Sequence, residues 1–393
     1  MHSSAVPTIP ISPVLSLAAF RRGGGARVRS VLDAGELRFV TSARIAIALA
    51  LREMGLGSGD KVLVPAWHSP SMIPPVLWRG AEPVFYRLRG DSSVDLADLA
   101  GKLDSTTRAL MVTHYFGFPQ PQMAAIRDFC DAHGIGLLED CAHCLIGEHE
   151  GRAVGAWGDY AVASSMKFLP IYEGGLLVSR RHSLQGVELR TAGWAFEAKI
   201  ALASLEKSFA HGRMGAARAA LWLPIKAKDA AWRLIKSRRP AGTPALSPDS
   251  SDSSFDFDPR WLDKRSSMFS RLLTRRASPT RIAQARRANY QRIEQALRGH
   301  AAGRPLYAIL PDGACPWAFP FVADQPERLC QRLRAMGVPV VGFGRTLWPG
   351  VDGTVCAASA ELSHRVLGFP CHQELREEEL AWMIGRIREA LAP

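Results

Sequence analysis

Two residues that could perform chemistry together follow separate apolar stretches of this chain. The stretch 134–140 reads Gly-Ile-Gly-Leu-Leu-Glu-Asp and ends at Asp140, while Lys167 follows the apolar stretch 160–164 and precedes a Glu-Gly-Gly turn at 173–175. This order suits the cofactor pyridoxal phosphate (PLP), because PLP takes an aspartate against its ring nitrogen and a lysine to form a Schiff base. Two residues alone form a weak pattern, so the prediction depends on the elements around them.

Those elements alternate between strands and helices. A helix is predicted over 42–54, which Gly55 ends, and another over 121–133. The predicted strands are 61–65, 83–88, 109–113, 136–139, 160–164 and 175–179. This alternation with short turns is typical of an α/β domain with a largely parallel sheet. Ligands of such sheets bind at the carboxyl ends of the strands, and Asp140 and Lys167 both lie just past such ends.

Composition indicates an ordinary globular protein. With 393 residues, 47% of them hydrophobic, the chain can form one large domain and a smaller one. No apolar run is long enough to span a membrane, and no basic residue precedes the N-terminal apolar stretch as it would in a signal peptide. Seven cysteines without regular spacing predict reduced thiols and a cytoplasmic protein. The net charge of +12 suits an anionic ligand without choosing one.

Four segments differ in character. We expect an N-terminal arm over 1–37, a large cofactor-binding domain over 38–239, a flexible linker over 240–258 and a small C-terminal α/β domain over 259–393. The part 181–239 of the large domain is helix-rich and strongly basic. The linker is predicted from its polar, low-complexity run of Pro, Ser and Asp. In the C-terminal segment, helical periodicity covers 271–297, and strands alternate with helices from residue 317 onward.

The order of the motifs resembles that of the DegT/StrS-type sugar aminotransferases, which are PLP enzymes of the aspartate aminotransferase fold (PLP fold type I). The resemblance is dense from about residue 38 to 178 and weaker from 271 onward. The matching segments are Ser42-Ala43-Arg44, Gly59–Pro65, Gly80–Phe85, Val112–Gly117, Glu139–His143, Lys167 with Glu173–Gly175, Arg286–Tyr290 and Leu367–His372.

The resemblance implies a role for each matched residue. Lys167 would form the Schiff base and then carry a proton between cofactor and substrate. Asp140 would keep the ring nitrogen protonated, and His143 would contact the phenolic oxygen of the cofactor. The phosphate would lie at the start of the helix that opens with Ser42, Ala43 and Arg44, because free N–H groups and the helix dipole favour an anion there. Ser164 and Ser165 are both candidates for a further phosphate contact.

Some positions depart from the family pattern. Ala43 replaces a glycine, which makes the backbone there less permissive. The family places an aromatic ring over the cofactor at the position of Ser69, and here Trp67 and His68 stand beside that serine. Which of these residues covers the ring stays open.

Three other classes of site were considered. Cys141 and Cys144 lack the second Cys/His pair that a zinc site needs, so no metal is predicted. The chain has no helix-turn-helix, zinc-finger or aromatic RNA-binding signature, so no nucleic-acid partner is expected. The basic, Trp- and Leu-containing segment 219–239 could lie on an anionic membrane surface or pack on the protein, and the sequence leaves both open.

The resemblance implies a homodimeric, PLP-dependent aminotransferase. It would transfer an amino group from glutamate or glutamine to a keto-sugar, expected to be nucleotide-linked, for polysaccharide, glycolipid or antibiotic sugars. One alternative is a sibling PLP reaction, sugar dehydration; that branch has histidine in place of the lysine, so Lys167 argues against it. The other is a non-catalytic scaffold or regulatory protein in a polysaccharide assembly system.

Overall fold

A computed structural model describes residues 7–222, 226, 247 and 254–392. Nine short strands occupy the first half of the described chain, and the seven of four residues or more are rich in apolar side chains. They are β1 (Glu36–Val40), β2 (Lys61–Pro65), β3 (Glu82–Tyr86), β4 (Thr107–Thr113), β5 (Gly136–Asp140), β6 (Glu148–His149), β7 (Arg152–Ala153), β8 (Tyr160–Ser164) and β9 (Gly175–Ser179).

Seven of these strands form the central sheet, in the order β1-β9-β8-β5-β4-β2-β3. The five strands from β8 to β3 run parallel, whereas β9 pairs antiparallel with both β8 and β1. Strands β6 and β7 form a separate hairpin. The predicted α/β class with a mostly parallel sheet is therefore confirmed. The carboxyl ends of β4, β5 and β8 lie side by side in the middle of the sheet.

The central strands are apolar on both faces, as expected for parallel strands covered by helices on each side. In β4, Leu110 and Val112 pack into one hydrophobic cluster, and Ala109 and Met111 pack into another. The helices of this half are Ala43–Glu53, Ile73–Trp78, Leu96–Lys102, Met123–His133, Trp194–Ala210 and Gly215–Ala220.

The helix Ala43–Glu53 begins and ends where its sequence predicts. The side chain of Ser42 caps it by accepting a hydrogen bond from the Ile45 N–H at 3.3 Å. Met54 is the C-terminal cap, and Gly55 follows with φ +76°, a left-handed conformation that glycine adopts without strain.

A smaller antiparallel sheet forms the core of the C-terminal part. Its strands are β10 (Gly303–Pro305), β11 (Ala318–Ala323) and β12 (Val366–Pro370). The helices there are Met268–Arg276, Pro279–Leu297, Pro326–Ala335, Ala357–Arg365 and Glu377–Leu391. The predicted helical stretch 271–297 is thus divided, because Ser278 caps a new helix with Pro279 in its first turn.

One hydrophobic cluster joins the two sheets. It contains Leu110 and Leu137 from the central sheet together with Phe319 and Phe369 from the small one, all fully buried. The N-terminal arm also packs on this core, since Ile9 belongs to the cluster and the Pro10 carbonyl lies 2.8 Å from the His372 Nε2 atom. The domain boundaries drawn from the sequence stay predictions.

Two predicted features fall mainly on residues that the structure does not describe. The basic segment 219–239 is described only at 219–222 and 226, and the linker 240–258 only at 247 and 254–258. Within the described residues, no helix combines the length and apolar character that a membrane crossing requires.

Candidate active site

A cavity opens at the carboxyl ends of β4, β5 and β8, beside the first turn of the helix Ala43–Glu53. Seven of the ten predicted site residues line it: Ser42, Ala43, Arg44, Asp140, His143, Ser164 and Lys167. The other three, Trp67, His68 and Ser165, are not part of the wall. The parallel strands explain this convergence, because they place residues that are far apart in sequence at one edge of the sheet.

Asp140 is the last residue of β5 and is buried, with 4% of its surface exposed. One of its carboxylate oxygens, Oδ1, accepts a hydrogen bond from the Ala142 N–H at 2.9 Å. Since β5 lies between β4 and β8, the position of this carboxylate is fixed by hydrogen-bonded strands on both sides.

Glu139 points to the opposite face of the strand, and its carboxylate binds the main chain of the segment just before β8. Its Oε1 atom accepts from the N–H groups of Trp157 at 2.6 Å and Gly158 at 2.5 Å. Its Oε2 atom accepts from the Gly155 N–H at 3.2 Å and pairs with the His114 ring at 3.0 Å. The Glu-Asp pair therefore has two functions: the glutamate fixes the fold, and the aspartate faces the cavity.

His114, Glu139 and Cys141 are close enough together to suggest a metal site, since their ligand atoms lie within 4.8 Å of one another. Hydrogen bonds already engage the side chains of His114 and Glu139. The His114 Nδ1 atom accepts from the Gln120 N–H at 2.9 Å, so Nε2 carries the proton and donates to Glu139. Burial raises the pKa of Cys141 well above its usual value and keeps the thiol protonated. His114 and Glu139 therefore form a buried hydrogen-bonded network, with the neutral thiol of Cys141 beside it.

Lys167 lies on a single 3₁₀ turn, Ser165–Lys167, directly after β8. Its Nζ atom is 4.8 Å from the ring centre of Trp317, a residue of the C-terminal part. Its main-chain oxygen accepts a hydrogen bond from the buried Arg286 guanidinium at 3.2 Å. The C-terminal part of the chain therefore holds the lysine turn in place.

His143 is buried among aromatic rings. It stacks on Trp317 with ring centres 3.8 Å apart, and the edge of Phe343 approaches it at 4.5 Å. Burial, and then the charge of Lys167, lowers the pKa of His143 well below its usual value, so the imidazole is neutral. Its Nδ1 atom is buried without a hydrogen-bond partner in the described part of the protein. A buried ring atom of this kind can bond to a bound ligand.

The Glu-Gly-Gly turn connects the lysine to the start of the helix Ala43–Glu53. The Gly174 N–H donates to the Thr41 carbonyl at 3.2 Å, and the Gly174 carbonyl accepts from the Ser165 N–H at 3.0 Å. Gly175 approaches the helix so closely that a Cβ atom there would lie 2.3 Å from the carbonyl carbon of Ser42. Only glycine allows this contact.

Replacement of Gly175 with alanine should therefore push β9 away from the helix start. We expect the free energy of unfolding to fall by about 2 kcal/mol, the cost of overpacking a rigid contact. Urea denaturation measures this. Gly385 in the helix Glu377–Leu391 is the control, because a Cβ there meets no atom within 4 Å and Gly385→Ala should stabilise by about 0.5–1 kcal/mol. Equal stability of Gly175→Ala and wild type would contradict the close contact.

Arg44 is buried instead of lying on an exposed helix face. It lines the cavity, and its guanidinium donates to the main-chain carbonyls of Ser254 and Asp256. The end of the predicted linker therefore lies beside the cavity. Ser164 and Ser165 differ in position: Ser164 is on the wall, whereas the Ser165 hydroxyl is buried behind it, without a hydrogen-bond partner among the described residues.

Trp67 and His68 support the cavity from outside. Trp67 is fully buried and stacks on Tyr115 with ring centres 4.9 Å apart. The His68 Nδ1 atom lies 3.0 Å from the Ala66 carbonyl, and its Nε2 atom accepts from the Trp348 N–H at 3.0 Å. Burial lowers the pKa of His68 to about 4, so this bridge is made by a neutral ring. Ser69 is on the wall.

The structure adds wall residues that sequence reasoning missed. Besides Ser69 they are Ile47, Ser71, Met72, Thr113, Ala142, Met166 and Phe343. Thr113 could have been predicted from the sequence, because it is a polar residue at the end of an apolar strand, β4, which pairs with β5 so that Thr113 lies beside Asp140. Phe343 had none: it lies in irregular chain about 200 residues after Asp140, and only the packing of the C-terminal part brings it to the cavity.

Several known proteins are similar to this chain. Residues 30–216 match the model of the DegT/DnrJ/EryC1/StrS aminotransferase family. GDP-perosamine synthase of Vibrio cholerae is 34% identical over 143 residues, which are 36% of this chain and 39% of that protein. The dTDP-4-dehydro-2,3,6-trideoxy-D-glucose 4-aminotransferase of Saccharopolyspora spinosa is 28% identical over 207 residues, which are 52% of this chain and 51% of that protein. The matches thus span about half or less of these relatives' lengths.

A solved structure resembles nearly the whole chain. It is the PLP form of Spr1654 of Streptococcus pneumoniae, a candidate sugar aminotransferase. The likeness covers 98% of each chain with a TM-score of 0.65 and 16% sequence identity. It confirms the predicted fold, PLP fold type I.

Proposed function

We propose that this chain, which belongs over residues 30–216 to the DegT/DnrJ/EryC1/StrS aminotransferase family, is a PLP-dependent aminotransferase acting on a keto-sugar. One observation carries the proposal: Asp140, His143, Lys167 and the helix start at Ser42 border a single cavity. They come from three separate regions of the chain: the end of β5 with the turn after it, the 3₁₀ turn after β8, and the start of the helix Ala43–Glu53.

The residues present fit PLP. The buried Asp140 carboxylate suits the protonated ring nitrogen, and the unpartnered Nδ1 atom of the neutral His143 suits the phenolic oxygen. The N–H groups at the start of the helix after Ser42, with Arg44 beside them, suit the phosphate, and Ser164 is placed to add a hydroxyl. When bound, PLP supplies an electron sink for the bond broken at the substrate carbon.

The chain's own groups would handle the protons and the water. The Lys167 amine would carry the proton between the substrate carbon and the cofactor carbon, because it is an amine on the cavity wall. Asp140 would keep the ring nitrogen of the cofactor protonated throughout the reaction. The buried ring of Phe343 and the half-buried ring of Trp317 would keep water from the face of the cavity next to His143.

The proposed donor is glutamate or glutamine, and the proposed acceptor is a nucleotide-linked keto-sugar for polysaccharide, glycolipid or antibiotic sugars. The names of both relatives, a GDP-linked and a dTDP-linked sugar enzyme, support this acceptor class. The net charge of +12 favours an acceptor that carries phosphate.

We place the protein in the cytoplasm as a homodimer. All seven cysteines are buried, unpaired thiols, which suits a reducing compartment. Two exposed apolar side chains support a dimer, since Trp194 is 84% exposed and Met268 is 68% exposed. The two residues lie on neighbouring segments, because the Met268 N–H donates to Glu197, one turn after Trp194, at 2.7 Å. Light scattering of Trp194→Ser against wild type would show whether this face forms the dimer.

The experiment for the reaction is an amination assay with the PLP-loaded protein. Glutamate or glutamine is offered with a panel of nucleotide-linked keto-sugars, and amino-sugar and 2-keto acid are quantified by mass spectrometry. The proposal expects the two products in equal amounts, and none with Lys167→Ala. An active Lys167→Ala variant would contradict the assignment of the lysine.

A further inference from the structure

Apart from the cavity, the described surface carries an exposed apolar group on two adjoining segments. The N-terminal arm forms a 3₁₀ turn, Leu17–Phe20, with no buried residue, and Leu17 and Phe20 are 74% and 55% exposed. Trp222, two residues after the helix Gly215–Ala220, is 55% exposed. We call Leu17, Phe20 and Trp222 with the flanking Arg21, Arg22, Arg218 and Lys226 the basic aromatic surface.

Hydrogen bonds to Glu374 hold the two segments together. The Ser16 hydroxyl donates to the Glu374 carboxylate at 2.5 Å, and the Arg213 guanidinium donates to the Glu374 carbonyl at 3.1 Å. Leu17 and Ala18 from the arm border the same groove as Met214 and Gly215 at the start of the helix. The arm turn and the helix are therefore neighbours fixed to one buried glutamate.

The charge of this surface is positive. Its four cations, Arg21, Arg22, Arg218 and Lys226, are exposed. The carboxylates beneath the groove are buried and paired, Glu374 with Arg281 at 2.6 Å and Glu379 with Arg213 at 2.7 Å. Of the exposed Glu377 and Glu378, which follow Arg376 of the groove, Glu377 pairs with Arg292 at 2.6 Å, and Arg376 adds a further exposed cation.

We infer that the basic aromatic surface binds an anionic lipid surface. Tryptophan, phenylalanine and leucine beside arginine and lysine are the residues that insert at the boundary between headgroups and acyl chains while cations contact anionic headgroups. If a second copy of this chain bound through the same surface, the cations of the two copies would face each other. This repulsion disfavours a second copy as the partner. The sequence leaves membrane contact of 219–239 open, and the described residues add the N-terminal turn as a neighbour of its start. The inference does not depend on the proposed reaction.

Sedimentation with vesicles tests this inference. Wild type should bind vesicles containing phosphatidylglycerol and not vesicles of phosphatidylcholine alone, and added salt should weaken binding. Arg21→Ser with Arg22→Ser should weaken binding roughly 25-fold, from about fivefold for each cation. Leu17→Ser with Phe20→Ser should weaken it by roughly tenfold or more. The control is Ile309→Ser, because Ile309 is 75% exposed on a loop of the C-terminal part and should leave binding unchanged.

Three results would overturn the inference: no binding of wild type to anionic vesicles, unchanged binding in both double variants, or conversion of a dimer to a monomer by Leu17→Ser with Phe20→Ser. The last result would assign the surface to a second copy. Both variants should keep wild-type PLP binding, since none of their residues lines the cavity. A loss of PLP binding in Lys167→Ala leaves this inference untouched.

Discussion

Replacement of Asp140 with asparagine should lower kcat/KM for amino transfer by roughly 10²- to 10³-fold, the usual cost of removing one preorganised electrostatic group from an active site. Asparagine has the same shape, and its amide oxygen can still accept the hydrogen bond from the Ala142 N–H. It carries no charge, however, so it cannot keep the cofactor's ring nitrogen protonated. We therefore expect a folded protein with weak activity, measured by steady-state kinetics and thermal denaturation.

Asp159, the residue before β8, provides the matched control, because its carboxylate binds the other end of β5. Its carboxylate accepts from the Leu137 N–H at 2.7 Å and pairs with Arg127 at 2.8 Å. Asp159→Asn should lower stability and leave kcat/KM of the folded protein near that of wild type. If Asp140→Asn kept full activity, or if both variants lost activity equally, the carboxylate would not have the proposed role.

Replacement of Arg286 with methionine should lower the free energy of unfolding by about 4 kcal/mol, because buried acceptors lose their charged donor together. Arg286 is fully buried, and its side chain lies over the Phe168 ring at 4.4 Å. Its acceptors are the carbonyls of Lys167 (3.2 Å), Phe168 (3.5 Å), Pro316 (3.0 Å) and Trp317 (3.0 Å), and the Gln373 side chain (2.8 Å). One side chain thus joins the lysine turn to the C-terminal part.

Arg292 lies on the same helix and tests whether the effect is specific. It makes a two-pronged ion pair with Glu377, with both contacts at 2.6 Å, but the pair is exposed to solvent. Arg292→Met should cost less than about 1 kcal/mol, as surface ion pairs do. Urea denaturation of both variants gives the comparison. A similar small loss for Arg286→Met would show that the buried network contributes little.

Local sequence signals account for much of the fold. Ser42 and Gly55 mark the two ends of a helix because capping and left-handed turns depend on residues within a few positions. The strand ends at Asp140 and Ser164 follow from apolar runs that stop at polar residues. Once the strands are parallel neighbours, the convergence of Asp140 and Lys167 follows.

Tertiary packing decides the parts that the sequence does not reveal. Trp317 and Phe343 reach His143 from the C-terminal part, and no local pattern marks them as its neighbours. Trp67 turns away from the cavity because Tyr115 and the Gly344 backbone fill its surroundings; a Cβ on Gly344 would lie 2.6 Å from its indole nitrogen. The ring that covers the cofactor could not be chosen from sequence for this reason. Phe343 is the buried aromatic on the wall beside His143.

The most direct test of the account is the visible absorption spectrum of the purified protein after incubation with PLP and removal of unbound PLP by gel filtration. Wild type and Lys102→Ala, which alters a lysine outside the cavity wall, should show a yellow band that added glutamate bleaches, and Lys167→Ala should show none. A colourless wild type, or the same band in Lys167→Ala, would contradict the assignment of this cavity as a PLP site built on Lys167.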